Sequence, residues 1–248
     1  MIRIGVATLA IGRAYADQFP AEGGSLERYA TRLNCTEINS SFHRPHQRKT
    51  YERWAATAPE GFLFSVKVPK TITHERRLAD SGDLLDAFLE QASGLGAKLG
   101  PLLVQLPPSL ILDASVAEVF FTVLRTKHDG DVVIEPRHAS WFTDEAEALL
   151  VAHKVARVLA DPAKIPEAAR FGGWPDLAYA RLHGSPRMYF SPYEAPVLDA
   201  FARQVKASSA EAVWVVFDNT ASGAALGDAL ALQCRLGGRR SPTAGETG

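Results

Sequence analysis

The residues able to do chemistry gather where apolar runs stop. In DVVIEPRHASW, residues 131–141, Val132, Val133 and Ile134 lead straight into Glu135, Pro136, Arg137 and His138. The same event recurs along the chain: CTEINSSF carries Glu37 and Asn39, FLFSVKV carries Lys67, LLVQL carries Gln105, LAYARLH ends in Arg181 and His183, and AVWVVFDN ends in Asp218 and Asn219. A carboxylate beside Lys and Arg at the end of a buried strand is held ionised and hydrogen-bonded, which suits a general base or an electrostatic stabiliser. Glu135 is the base expected here, with His183 or His74 as the acid and Lys67, Arg137 and Arg181 as a clamp for an anion. A plainer reading and a sharper one stand beside this one. Glu135 could simply pair with Arg137 or Lys67, and Lys67 could instead be a Schiff-base nucleophile whose pKa is lowered by neighbouring positive charge.

Other groups extend the list. Glu37, Glu135, Asp161, Asp218, His74 and His183 could between them hold a divalent metal, but no HxH or HExxH spacing stands behind that idea, so no cofactor and no metal ligand are expected. DNTASGAA puts Asn219 or Thr220 at a helix N-cap with Ser222 and Gly223 following, and HGSPR adds Gly184, Ser185 and Arg187. Such loops bind phosphate in many barrels, although ordinary capping explains them too. Trp141, Tyr189, Phe190 and Tyr193 could stack on a sugar or a base, or Trp141 could staple the helix after it; Trp54 is expected in the core.

Positioning these groups requires a scaffold of repeated apolar strands. Eight are expected, at Ile2–Leu9, Cys35–Phe42, Phe62–Val68, Leu102–Leu106, Val132–Arg137, Ala156–Asp161, Leu177–His183 and Ala212–Phe217. Helices are expected between and after them, at 26–33, 48–58, 83–99, 115–127, 143–153, 197–207 and 221–236. This alternation predicts an α/β fold, a TIM-type (β/α)8 barrel formed as one domain by residues 1–236, with 237–248 a disordered tail. An open doubly wound sheet competes, but GVATLAIG after the first strand lacks the GxGxxG spacing that such a sheet usually shows. Residues two apart on a strand share a face. The inward candidates are then Glu37 with Asn39, Ser65 with Lys67, Leu103 with Gln105, Glu135 with Arg137, Arg181 with His183, and Phe217 with Asn219. Alternate strands feed one layer, so Lys67, Glu135 and His183 are expected together and Glu37, Gln105 and Asn219 in the neighbouring layer.

Composition narrows the function classes. The 248 residues are 46% hydrophobic and 22% charged, with a formal net charge of −1. That is enough to bury a large core, and it argues against binding nucleic acid mainly by bulk electrostatics, although a local basic cleft stays open. Cys35 and Cys234 have no CxxC or Cys/His spacing and are expected to be reduced. The N-terminus lacks a secretory pattern and no stretch approaches membrane-spanning length, so a cytoplasmic protein without membrane contact is expected, its oligomeric state left open.

The segments TEINSSFHRP, ERWAATAPEGFLFSVKVPKTITH, LLVQLPPS, VVIEPRHASW, YARLHG and VVFDNT, in this order, resemble the signatures of the YecE-like family, domain of unknown function 72. The resemblance runs to about Leu236. It implies a TIM-type barrel and no particular reaction. The family pattern falls on Glu37, Asn39, Trp54, Lys67, Thr73, His74, Gln105, Glu135, Arg137, Trp141, Arg181, His183, Gly184, Tyr189 and Asn219, and it departs at His43, where the family's Phe-Tyr pair has Tyr. The expectation drawn from the residues is an enzyme of hydrolase, lyase or isomerase type rather than an oxidoreductase. It would act by acid/base chemistry on a small phosphorylated or carboxylated, sugar-like substrate. Glu37, Asn39, Gln105, Arg137, Trp141, Arg181, Tyr189 and Asn219 would line the substrate. A barrel contacting nucleic-acid phosphates and a non-catalytic binding protein are the alternatives.

Overall fold

The computed structural model describes residues 1–237, so the expected tail lies outside the described residues except for Gly237. Ten strands form one sheet: β1 (Ile2–Val6), β2 (Cys35–Ile38), β3 (Leu63–Lys67), β4 (Leu99–Gln105), β5 (Val132–Glu135), β6 (Val155–Arg157), β7 (Leu159–Asp161), β8 (Gly172–Gly173), β9 (Leu177–Leu182) and β10 (Ala212–Phe217). Helices α1 (Ser25–Ala30), α2 (Arg48–Thr57), α3 (Gly82–Ala92), α4 (Ala114–Lys127) and α5 (Asp144–Ala152) alternate with the strands as far as β6, no α-helix among the described residues intervenes from β6 to β9, and α6 (Ala195–Ala207) and α7 (Ala224–Arg235) follow β9 and β10. The strand order is β7-β9-β10-β1-β2-β3-β4-β5-β6-β8, parallel throughout except for the β6–β8 pair.

Closure comes from one segment working twice. The expected sixth strand is broken at Val158: β6 pairs with β5, β7 pairs with β9, and the Val158 N–H donates to the Ile134 carbonyl at 2.9 Å between them. The two ends of the strand order therefore meet within residues 155–161, and the sheet is a nearly closed, TIM-like α/β barrel. Strand β8 was not legible as a strand. It is two glycines, and a Cβ on Gly173 (φ +67°) would meet the Val155 carbonyl oxygen at 2.3 Å, so only glycine lets this backbone lie against β6.

Several boundaries move from those expected. The first strand stops at Val6 and the second at Ile38, the latter running into a 3₁₀ turn at Ser40–Phe42. The helix expected to reach Leu99 stops at Ala92, a 3₁₀ segment at Ser93–Lys98 follows, and Leu99 opens β4. The last helix begins at Ala224, with Gly223 as a cap that offers no side-chain hydrogen bond.

Alternation along the strands separates two apolar layers. Cys35, Leu103, Val133, Ala156, Val158, Tyr179, Trp214 and Val216 pack together inside the barrel. Val66, Val104, Ile134, Val213, Val215 and Phe217 belong to the larger core shared with the helices. Trp214 and Val216 being inside corrects the parity expected for the last strand. The inward residue beyond its end is Asp218, not Asn219, because AVWVVF is apolar on both faces and carries no mark of which face is which. Among the described residues no helix is long and apolar enough to cross a membrane.

The β1–β2 seam is narrow, with only Gly5↔Cys35 and Val6↔Thr36 in register. A Cβ on Gly5 would meet the Cys35 carbonyl oxygen at 2.2 Å, so the glycine permits this approach. Side chains complete the seam. The Tyr29 hydroxyl accepts from the Val6 N–H and donates to the Cys35 carbonyl, both at 2.9 Å, and the Asn34 amide bridges the Ile4 N–H and the Ile2 carbonyl. Removing the buried hydroxyl leaves two backbone groups unmatched. Tyr29→Phe is therefore expected to cost about 1–3 kcal/mol in urea unfolding, and an unchanged midpoint would show that the hydroxyl does not hold the seam.

Candidate functional site

Arg181, on β9, stands at the centre of the inward-facing polar residues and is 1% exposed. Its Nη2 and Nε donate to Glu37 of β2 at 2.7 and 3.0 Å, its Nη1 donates to Glu135 of β5 at 2.6 Å, and Nη2 also reaches Asp218, just past β10, at 2.8 Å. One planar guanidinium thus binds carboxylates from three strands, using the forked donor geometry that lysine lacks. Burial alone would lower the Arg181 pKa, but Glu37, Glu135 and Asp218 outweigh it and hold the group firmly charged. Beneath the cluster, the Tyr179 hydroxyl lies 2.8 Å from Glu37 and 2.9 Å from the Ser65 hydroxyl, fixing the far carboxylate oxygen.

Glu135 is saturated. Its Oε1 accepts from Arg137 Nε and Nη2 and lies 3.2 Å from His183 Nε2, while Oε2 accepts from Arg181. Burial would raise this carboxyl, but Arg181, His183 and Arg137 together hold it well below the usual range. A carboxylate so depressed, with both oxygens engaged, is a poor general base. His183 is held on both sides, Nε2 facing Glu135 and Nδ1 facing Asp218 Oδ2, each at 3.2 Å. Burial lowers its pKa, but the two carboxylates prevail and raise it, which favours the imidazolium, the form that can donate from both ring nitrogens to these carboxylates. Asp218 is pushed upward by burial and downward more strongly by Arg181, His183 and Lys67.

Nearer the mouth the groups are less committed. Lys67, at the end of β3, lies 4.2 Å over the Phe42 ring and makes no salt bridge among the described residues. Burial first, and then Arg181, lower its pKa to about 8 against the opposing pull of Glu37, Glu135 and Asp218. His74, in a π-helical turn at Thr71–Glu75, packs edge-on against Phe42 at 4.9 Å and bonds the Thr73 hydroxyl at 2.9 Å; burial, Lys67 and Arg137 lower its pKa. Arg137 is bonded through Nε and Nη2 to Glu135 and Tyr189, leaving Nη1 without a hydrogen bond to the described residues. Tyr189 has a left-handed backbone (φ +66°) and stands edge-on to His183 at 5.4 Å. Asn39 Nδ2 donates to Asp218 Oδ1 at 3.2 Å, and its buried Oδ1 has no partner. Beside Glu135, Arg137 and His183 is a cleft walled by Pro108, Pro162, Ile165 and Met188, with room for water-sized molecules over about 40 Å³.

The expected site residues thus divide. Glu37, Asn39, Lys67, Glu135, Arg137, Arg181, His183 and Tyr189 come together, with His74 at the rim. Gln105 pairs in register with Glu135, but its amide donates to the Leu106 carbonyl. Three others are corrections. Arg181 has no free donor face for a substrate, because carboxylates surround it. Trp141 is 1% exposed in the outer core and donates to the Leu110 carbonyl at 3.0 Å, which matches the staple rather than a stacking platform. Asn219 turns outward to bond Ser191 and Asp228, and it does not cap α7. Tyr193 is likewise spent, its hydroxyl bonded to Asp161 and to the Gly184 N–H. Residue reading passed over Phe42 and Tyr179 as parts of the site. Tyr179 was recoverable, since it shares the face of Arg181 two residues on. Among the described residues no group of three or more His, Cys, Asp or Glu is arranged to hold a metal ion.

Comparison with known proteins now places the fold. The sequence model of the family described as "Protein of unknown function DUF72" matches residues 7–247. The chain belongs to this DUF72 family. Its relatives include the UPF0759 protein YecE of Escherichia coli strain K12, 35% identical over 83 residues, a stretch that covers 34% of this chain and 30% of that protein. A DUF72 family protein from Enterococcus faecalis V583 superposes with a TM-score of 0.79 at 22% identity, covering 97% of both chains. A DUF72 family protein from Thermotoga maritima MSB8 gives 0.78 at 22% identity, covering 96% of this chain and 99% of the other. At such identities the likeness shows a shared fold, and the chemistry has to be argued from this DUF72 member's own residues.

The buried charges make stability depend on pH in a defined sense. Glu135 and Asp218 have depressed folded pKa values, so their contribution is present above the unfolded carboxylate range and is lost as pH falls through the folded values. His183 has a raised value, so its contribution is complete below the unfolded imidazole value and is lost as pH rises through the folded one. Arg181→Met removes the shared counter-ion and is expected to cost about 3–5 kcal/mol at pH 8 by urea unfolding. The deficit should shrink towards pH 5, where the abandoned carboxylates take up protons. A deficit that does not change between these pH values would rule out charge as its cause.

Proposed function

We propose that this DUF72 protein is an enzyme acting by acid/base chemistry on a small carboxylated or phosphorylated substrate bound at the C-terminal mouth of its barrel, in hydrolase, lyase or isomerase fashion. One observation carries the reading. Glu37, Glu135 and Asp218 are matched by Arg181, by Arg137 and by His183, whose raised pKa favours the charged ring, which leaves the Lys67 ammonium as surplus positive charge at the mouth. An anion supplies the missing partner, and Arg137 Nη1 adds a directional donor.

The roles differ from those first expected. Glu135 and His183 act as the charged floor that fixes Arg137 and tunes Lys67. Proton exchange falls to Lys67, whose pKa of about 8 lies near working pH. His74, kept largely neutral by burial and by its cationic neighbours, is the second proton carrier. Tyr189 and Asn39 border the space in which the substrate would lie, and Phe42 shields the lysine stem from water.

Thermal unfolding in the presence of inorganic phosphate, malonate and glycolaldehyde phosphate tests the anion site. At a hundredfold excess over Kd a ligand stabilises by about 2.7 kcal/mol, which is readily visible in Tm. At least one of these anions is expected to raise Tm in the wild type and to lose its effect in Arg137→Gln. If none raises Tm while an oligonucleotide binds with steep salt dependence, the small-anion reading fails in favour of a nucleic-acid backbone as the ligand.

A further inference from the structure

The Lys67 amine is arranged for more than proton exchange. Three carboxylates lie close enough to influence it electrostatically, yet none pairs with it, because Arg181 engages all of them. An amine that none of these carboxylates pairs with, lying over an aromatic face and still 8% exposed, has its nitrogen lone pair available once it is deprotonated. Other lysines differ: Lys70 is paired with Glu75 at 3.0 Å, and Lys164 is exposed on the wall of the cleft beside Arg137, which makes it a stringent comparison. Arg137, which like Lys67 lies close enough to His74 to act on its charge, is held in place through two of its nitrogens and leaves the third without a hydrogen bond to the described residues, so an anion bound there would be fixed in orientation and not merely attracted.

We propose that Lys67 is an imine-forming nucleophile for a small aldehyde or ketone that carries a carboxylate or phosphate, with Arg137 Nη1 holding the anionic end. This deepens the small-anion reading above and rests on it. The neutral amine adds to the carbonyl carbon, forming a C–N bond as the C=O π pair moves to oxygen. The oxygen then leaves as water, carrying the two protons that began on the nitrogen, and C=N–Lys67 remains. No oxidant or reductant is consumed. The imine draws electrons from the neighbouring carbon, so the reactions it serves are proton removal or carbon–carbon cleavage next to the former carbonyl. That is lyase or isomerase chemistry. The lowered pKa of Lys67, caused chiefly by burial, supports the assignment by raising the fraction of free amine at neutral pH.

Reductive trapping decides the matter. The intact protein is incubated at pH 7.5 with cyanoborohydride and one of three probes, glyoxylate, glycolaldehyde phosphate or neutral acetaldehyde, and the rate of secondary-amine formation at each lysine is read by peptide mass mapping. Lys67 is expected to label at least about tenfold faster than Lys164 with an anionic probe. Preference for glyoxylate or for the phosphate identifies the anion. Arg137→Gln should remove that preference while leaving acetaldehyde labelling of Lys67 in place. Labelling of Lys67 no faster than Lys164 with all three probes overturns the proposal. If malonate or phosphate still raises Tm in that case, only the imine falls; if neither does, the anion site falls with it.

Discussion

A guanidinium buried with three carboxylates is the constraint on which the upper half of this barrel depends. Taking an ion out of water carries a penalty of several kcal/mol even after the protein relaxes, and it is offset only when geometry and hydrogen bonding are nearly complete. Arg181 meets that condition by drawing one carboxylate each from β2, β5 and the end of β10, with the Tyr179 hydroxyl, itself beside Ser65, satisfying what remains on Glu37. Strands far apart in sequence are thereby fixed relative to one another at the level where their apolar layers stop. Breaking any member leaves an uncompensated charge in a site of low dielectric, so the network either forms whole or is costly.

That completeness decides where chemistry can occur. Glu135 and His183 have residue types suited to acid/base work, but their lone pairs and protons are occupied inside the network. What the network exports is position and field. It fixes the Arg137 fork, and through Arg181 it adds to the burial that depresses the Lys67 ammonium, so the surplus charge and the free donor both lie at the solvent side. The polar cluster is thus graded, inert at its base and adjustable at its mouth. Phe42, His74 and Tyr189 close round the adjustable part.

How much of this the chain discloses depends on what each segment contrasts. Strands ending in charge against an apolar background, such as VVIEPR and LAYARLH, show both their position and their inward face, because the polar residues mark the face. AVWVVF has no such contrast, and its parity was inferred from Asn219 when the inward residue is Asp218. Residue types also do not reveal which neighbour satisfies which. Arg181 reads as an anion clamp until the three carboxylates around it are seen, and Trp141 reads as a platform until its indole N–H is found on the Leu110 carbonyl. The break at Val158 and the two-glycine strand β8 arise from closing the sheet, a requirement of the whole barrel that leaves no local pattern in ARVLADP or FGGWP.

Held between Glu135 and Asp218, His183 is a member of the charge network whose titration is shifted upward, rather than an acid/base group with a free ring nitrogen. ¹⁵N NMR of the imidazole nitrogens, assigned by comparison with His183→Gln, measures this directly. The doubly protonated ring is expected to persist to a higher pH than an unperturbed imidazole, whose midpoint is about 6.5. A ring with one protonated and one bare nitrogen at or below that midpoint would contradict this and return His183 to the list of acid/base groups.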